Sequence, residues 1–406
     1  SFKIAAAALA VASALSSTAY AGGFQLTEQS ALALGRAYAG VGVDGTDVSG
    51  MYYNAATMTL HPGTQVQFGG VGVGLNLEYV AKDGEKNNGR AKEEVIPHGF
   101  ISHQINDSTW VGLAITVPYG LATDYGDNWS GKDHGTKAEI TVINFNPNVA
   151  WKATDTLSLG AGLALQYVDA TFGVGANTPI GNIHSEYTAT DFTWGFNVGL
   201  MWQPVENLRF GLSYRSETKH ATNGDLTISG TNGNGQNSID GTYNASVTVS
   251  GPAWAMATAA WDVNDYLSLY ATFRWADWSS FSSLTTTSNE LTTAVYGVAP
   301  SNPTLAGGYK AVFDQLKNID NDWKDTYLMS VGYDLRVNSF WTLRGGIAYE
   351  TSPIDDKTKR TAIIPDADRW WFAIGSSFHW TKDFQTDIGF AHLHGVHERS
   401  LYDRTS

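Results

Sequence analysis

Apolar residues recur at every second position along most of the chain. Across residues 156–167, Leu157, Leu159, Leu163, Leu165 and Tyr167 fall on one face and Ser158, Gly160, Gly162 and Gln166 on the other. The same alternation runs through Val111, Leu113, Ile115 and Val117, through Phe192, Trp194, Phe196, Val198 and Leu200, and through Leu208, Phe210, Leu212 and Tyr214. Leu267, Leu269, Phe273 and Trp275, and then Trp341, Leu343, Ile347 and Tyr349, repeat it. A period of two is the side-chain period of a β-strand. The opposite faces carry Arg209, Arg215, Arg274, Arg344 and Glu350 among glycines and serines. An apolar face outside and arginines inside suit a barrel with lipid around it and a polar lumen. Trp and Tyr near the strand ends, among them Trp151, Tyr167, Trp202, Tyr214, Trp261 and Trp370, predict aromatic girdles at the two membrane interfaces.

The pattern predicts thirteen strands, at about 64–81, 95–105, 108–118, 138–153, 156–172, 186–203, 207–219, 242–263, 266–280, 323–336, 340–351, 368–381 and 384–396. Tight turns at Asn106-Asp107, Thr154-Asp155, Pro204 to Asn207, Asn264-Asp265, Val337 to Ser339 and Lys382-Asp383 alternate with long polar connections at about 82–95, 119–137, 173–186, 220–242, 281–321 and 352–367. Short turns on one side and long loops on the other are the mark of periplasmic turns and extracellular loops. Single-chain bacterial barrels have an even strand count. A fourteenth strand is therefore expected beyond the given sequence. The predicted fold class is all-β, a transmembrane antiparallel β-barrel.

Composition supports this. Only 16% of the 406 residues are charged, against about 25% in soluble domains, yet apolar residues make up only 43%, too few for a bundle of membrane helices. The 25 Lys+Arg against 39 Asp+Glu give a net charge of −14, which opposes nucleic-acid binding. Without cysteine there is no disulfide or thiolate–zinc framework.

Residues 1–21 read as a signal peptide: Lys3, an apolar run from Ile4 to Leu15, and the small-x-small site Ala19-Tyr20-Ala21. That run is shorter than the roughly 20 residues a membrane helix needs. Residues 22–63 do not alternate. Thr27 and Ser30 are candidate caps for a short helix through Ala31–Leu34, and Asn54 to Leu60 predicts a second. We expect this stretch to form a plug inside the barrel of residues 64–406.

The start GGFQLTEQSALALGRAYAG is similar to that of the FadL/TodX family of outer-membrane transporters of hydrophobic compounds. VPYGLATDYGDNW (117–129), NFNPNVAW (144–151), WADWSSF (275–281), WKDTY (323–327), LRGGIAYETSP (343–353) and IPDADRWW (364–371) extend the resemblance along nearly the whole mature chain. It implies a fourteen-stranded barrel with an N-terminal plug, in the bacterial outer membrane among phospholipid and lipopolysaccharide. It implies uptake of long-chain fatty acids or aromatic hydrocarbons by diffusion: capture at the outer loops, a pocket near the mature N-terminus, and exit through a wall gap at a kinked third strand. On this resemblance Gly23 and Phe24 belong to the pocket. Asn54 and Ala56 match the family's Asn-Pro-Ala; Ala55 replaces the proline and makes that turn less rigid. Gly112, Pro118 and Gly120 are candidates for the third-strand distortion, since proline removes a ladder donor.

Other chemistry is weaker. Gly126-x4-Gly131-Lys132 has the spacing of a phosphate loop, but Asp133 stands where Ser or Thr is needed. His392, His394 and His397 lack a supporting carboxylate pattern, so no metal is expected. Asp355-Asp356 reads as a solvated loop pair, although such loops can hold divalent cations beside lipopolysaccharide. Arg209, Arg215, Arg274 and Arg344 read as luminal ion networks or as contacts for a ligand carboxylate. No Ser/His/Asp grouping supports an enzyme, no cofactor is expected, and the chain is expected to be monomeric. A general diffusion porin is the alternative to a hydrophobic-compound transporter. The sequence leaves fatty acid and aromatic hydrocarbon open.

Overall fold

The computed structural model describes residues 22–74, 79–80, 84–87, 94–178, 181–231, 238–281, 283–316, 318–320, 322–356, 360–364 and 366–396. Residues 1–21, expected above to be a signal peptide, and residues 397–406 lie outside the described residues, as does the expected fourteenth strand. The strands are β1 (Thr64–Val73), the small pair β2 (Tyr79–Val80) and β3 (Lys86–Asn87), β4 (Glu94–Asn106), β5 (Thr109–Asp124), β6 (Lys137–Lys152), β7 (Leu157–Thr178) and β8 (Gly181–Val205). They continue as β9 (Leu208–Arg215), β10 (Thr218–Thr231), β11 (Gly241–Gly251), β12 (Trp254–Asp262), β13 (Leu267–Ala276), β14 (Ser283–Thr287), β15 (Asn318–Asp320), β16 (Thr326–Arg336), β17 (Trp341–Glu350), β18 (Arg369–Thr381) and β19 (Phe384–Gly395).

Among the described residues every pairing is antiparallel. β1 pairs with β4, and the ladder runs on through β5, β6 and β7 to β8. β8 pairs with β9 near the short turns and with β10 farther out. β9 pairs with β12 and β10 with β11. β12 leads through β13, β16, β17 and β18 to β19. All thirteen expected strand positions carry strand, as alternation between lipid and lumen requires. On β8 the exposed positions Phe192, Trp194, Phe196, Val198 and Trp202 face outward. From Phe192 to Trp202 a tilted strand rises about 25 Å, the height of the apolar band of such barrels. The inward positions are polar and buried, among them Asn144, Asn146, Asn148, Gln166 and Asn197.

Three expectations change. The connections predicted at 173–186 and 220–242 are partly strand, because β7, β8, β10 and β11 continue outward with their faces reversed, Ile183, Tyr187, Leu226, Ile228, Val247 and Val249 being buried on the inner side. Threonine pairs such as Thr171–Thr188 at 3.3 Å and Thr227–Thr242 at 3.2 Å link them on the outer face, so the apolar positions change face while pairing persists. The predicted strands 207–219 and 242–263 are each broken, at Ser216-Glu217 and at Pro252-Ala253. The connection 281–321 holds two helices, Asn289–Val298 and Pro303–Leu316. Ser288 caps the first through the Leu291 amide, and Leu291, Val295 and Val298 bury one face of it.

Residues 22–61 are not strands. Ser30 caps the helix Ala31–Leu34, and Asn54 caps the 3-10 helix Ala55–Leu60. Their partners lie on both sides of the sheet order: Asp47 with Gln67 on β1, the His61 carbonyl with Trp110 on β5, Asn54 with the Leu200 carbonyl on β8, Gly40 with Thr272 on β13, and Arg36 with Asp334 on β16.

Candidate functional site

The β5 strand is where the wall departs from regular pairing. Its register with β6 shifts between Thr116 and Tyr119, across Val117-Pro118. Pro118 has no N–H to give the ladder. Pairing with β4 stops at Ile115, opposite Gly99, although β4 continues to Glu94 along β1. The N-terminal segment occupies this edge. Leu26 N donates to the Pro118 carbonyl at 2.8 Å, Gly120 N donates to the Phe24 carbonyl at 3.0 Å, and Gln25 bridges Tyr119. The Gln29 amide imitates a strand, donating to the Val117 carbonyl at 2.7 Å and accepting from Val117 N at 3.1 Å.

Among the distortion candidates, Pro118 is at the register shift and Gly120 is at the docked edge. Gly112 is elsewhere. It sits in unbroken pairing with Ser102 and Asn148, and a Cβ there would stand 2.2 Å from Met51 Cε and 2.7 Å from Met58 Sδ. The distortion reading of Gly112 is therefore corrected: its lack of a side chain makes room for residues 51–58 on the lumen side.

Gly23 has a φ of +69°, and a Cβ there would meet Trp323 and Trp278 at 2.7 and 2.8 Å. Only glycine fits this backbone and this space. Phe24 follows, 2% exposed, among Trp278 (ring centroids 4.8 Å apart), Phe281 (5.7 Å), Tyr119 (5.9 Å) and Trp323 (6.3 Å). The alternation of faces does not reveal this cluster, because Trp278, Phe281 and Trp323 lie outside the strands. Their only sequence signal is the concentration of aromatics in the segments WADWSSF and WKDTY.

Asp366 closes the site. Gly23 N donates to its Oδ2 at 3.0 Å. Burial lifts the Asp366 carboxyl to about 7, against the opposing pull of Arg369 and of the Gly23 amide. The docked state thus binds a proton that the undocked state, with an ordinary carboxyl, gives up. Docking is strongest below about pH 4, weakens as pH rises from there to about 7, and changes no further above it. Hydrogen exchange at the Gly23 and Phe24 amides should accelerate, beyond the intrinsic base-catalysed rise, between about pH 4 and pH 7, with no further excess above that. Asp366→Asn should abolish the excess; an equal excess in both proteins would contradict this.

Asn54, Ala55 and Ala56 sit against β7 and β8. Asn54 Nδ2 donates to the carbonyls of Leu200 at 2.9 Å and Gly42 at 3.0 Å, and its Oδ1 caps the Ala56 amide. Ala55 and Ala56 are fully buried over Gly160. This turn positions residues 22–61 and does not touch the aromatic cluster.

The four arginines separate. Arg209 pairs with Asp262 at 3.3 Å, Arg274 with Glu350 at 2.8 Å, and Arg344 with Asp334 at 3.2 Å. Arg215 is also buried, but among the described residues it has no carboxylate partner. One Nη2 donates to the Tyr52 carbonyl at 2.8 Å and to Asn146 Oδ1 at 3.0 Å, while Nε and Nη1 have no hydrogen-bond partner. The guanidinium lies over the rings of Tyr52 at 4.6 Å and Trp254 at 5.7 Å. Tyr119, beside Phe24, is within electrostatic reach of it. His392 and His394 have ring centroids 6.5 Å apart on the exposed face of β19, and His397 is outside the described residues.

The chain matches the family described as "Outer membrane protein transport protein (OMPP1/FadL/TodX)" over residues 12–401. It is 27% identical over 436 residues to the long-chain fatty acid transport protein of Escherichia coli (strain K12), covering 96% of this chain and 91% of that protein. It is 27% identical over 418 residues to a 47 kDa outer membrane protein of Pasteurella multocida, covering 96% and 90%. Among solved structures, a Pseudomonas aeruginosa FadL homologue superposes with a TM-score of 0.74 at 22% identity over 91% of this chain and 90% of that one. The P. putida toluene transporter TodX gives 0.70 at 16% identity over 90% and 92%.

Proposed function

The chain belongs to the OMPP1/FadL/TodX family of outer membrane transport proteins, and from that membership we propose that its ligand is a long-chain fatty acid, held in the lumen and released sideways at β5. Family membership makes the protein an outer-membrane transporter of hydrophobic compounds. The observation that carries the finer reading is Arg215. A buried guanidinium with two nitrogens free of protein partners is costly unless something pairs with it, and a carboxylate is the partner its geometry suits best. Tyr52, Trp254, Tyr119 and Phe24 extend an apolar surface from it. Each buried methylene adds about 0.8 kcal/mol, so a long chain is held without a deep specific pocket. Residues 22–61 close the lumen to water and ions, and the interrupted β4–β5 edge lets the chain pass into lipid.

The aromatic surround of Phe24 would accept an aromatic hydrocarbon too, and the relative TodX carries toluene by its description. Arg215 separates the two readings. Arg215→Met keeps the packing over Tyr52 and removes the charge. A charge-assisted pair is worth about 1.5–3 kcal/mol, so fatty-acid capture should weaken roughly 10- to 100-fold while toluene uptake stays at the wild-type level. Binding of a fluorescent fatty acid to purified protein, with labelled toluene uptake alongside, measures both. Unchanged fatty-acid capture would overturn the carboxylate assignment.

A further inference from the structure

The wall has a second interruption on the far side of β6 and β7. β8 pairs with β9 up to Asn197, opposite Arg215, and with β10 from Thr190, opposite Asn223. Between these, residues 191–196 enter neither ladder, and one backbone bond, from Ser216 N to the Phe196 carbonyl at 2.9 Å, crosses the seam. The seam coincides with the break between β9 and β10 and with that between β11 and β12, where Pro252 has no amide hydrogen to donate. Through β6 and β7 the pairings Thr116–Asn144, Asn144–Gln166 and Gln166–Thr193 connect it in register with the β5 kink. Side chains seal it: Ser216 Oγ accepts from the Phe196 amide, and His220 Nδ1 lies 3.4 Å from Asp191 Oδ2.

Two features flank the seam. On the lumen side, Arg215 is the last residue of β9. On the lipid side, an apolar trough of about 560 Å³ runs down from Tyr214 between Leu212 and Phe273, floored by Ala255 and Ala257. A hydrogen-bonded ladder would have to break for a ligand to cross; here it is already absent.

We propose that this seam is a second lateral port, through which a ligand whose headgroup is held at Arg215 slides its apolar body into the trough and so into the outer leaflet. The proposal rests on the transport reading above and adds a route to it. The chain has no cysteine, so paired cysteines can act as latches. A Cβ at Gly195 would lie 2.8 Å from Thr218 Cγ2, within reach of a disulfide. Oxidised Gly195→Cys/Thr218→Cys should take up labelled oleate about a fifth more slowly than its reduced form. Ala255→Trp, which fills the trough from the lipid side, should lower uptake by a similar factor without any oxidant. A control latch in the unbroken ladder, Val149→Cys/Ala161→Cys, should have no effect. Heat-modifiable gel mobility checks that each barrel is folded. Wild-type rates in either the oxidised seam latch or Ala255→Trp overturn the second port. Wild-type uptake of oleate in those same cells tests the underlying reading separately: if it is absent there, the transport reading fails, whereas normal uptake with unaffected variants removes this port alone.

Discussion

Glu350→Ala should cost the protein about 3–5 kcal/mol of stability, the range found when one member of a buried ionic network is removed. Glu350 is 1% exposed at the end of β17. It accepts from Arg274 at 2.8 Å, from Arg369 at 2.7 and 3.1 Å, and from the Trp371 indole at 3.2 Å. Truncation leaves two buried guanidinium groups without their anion. Arg274 also donates to Thr27 Oγ1 at 2.9 Å, so the loss reaches the N-terminal segment as well as the wall. Equilibrium unfolding in detergent micelles, read by gel mobility, gives the value. Glu350→Gln keeps the shape and one acceptor and should lose less. A loss below about 1 kcal/mol in the alanine variant, the range of an exposed pair, would contradict the network's role.

Much of this architecture is legible in the sequence because lipid and lumen impose opposite demands on adjacent residues. Leu157, Leu159 and Leu163 must be apolar, and Ser158 and Gln166 must not be, so period two marks the strand. Where lipid ends, the demand ends. The Thr171–Thr188 and Thr227–Thr242 extensions pair as well as the membrane portion but turn threonines outward and their apolar residues, among them Ile183, Tyr187, Leu226 and Ile228, inward. They read as loops. The helices in 281–321 are missed for another reason: Leu291, Val295 and Val298 fall at i, i+4 and i+7, a helical spacing that the search for period two passes over.

At the site, legibility divides by the kind of physics involved. Gly23, Phe24 and Pro118 were named through a resemblance; their geometry gives each a reason, namely a left-handed backbone, an aromatic surround and a missing donor. Gly112 shows the limit of that route. A glycine in a strand signals either a kink or a close approach, and only the neighbouring Met51 and Met58 say which. The four arginines look equivalent in sequence. Their difference lies in cross-strand partners: Asp262 and Glu350 reach Arg209 and Arg274 from more than 50 residues away, Asp334 faces Arg344 across the β16–β17 hairpin, and none of the described carboxylates reaches Arg215. Asp366 has no local signal, because its partner Gly23 is at the other end of the mature sequence.

In the proposed route the ligand leaves sideways beside β5, past the docked N-terminal segment. Gly120 and Leu26 allow a direct test. A Cβ at Gly120 would lie 2.8 Å from Leu26 Cδ1, and the backbone between them is already bridged at Tyr119. A disulfide in Leu26→Cys/Gly120→Cys would hold the segment across the open edge without adding bulk to the lumen, in a chain with no other cysteine. The measurement is the initial rate of labelled oleate uptake, in cells lacking their own transporter, for this variant before and after reduction. The account predicts a rate at least about fivefold lower in the oxidised form, equivalent to roughly 1 kcal/mol in the barrier, with full recovery on reduction and the residual flux leaving by the β8–β10 seam. An oxidised latch that transports as fast as its reduced form would contradict it.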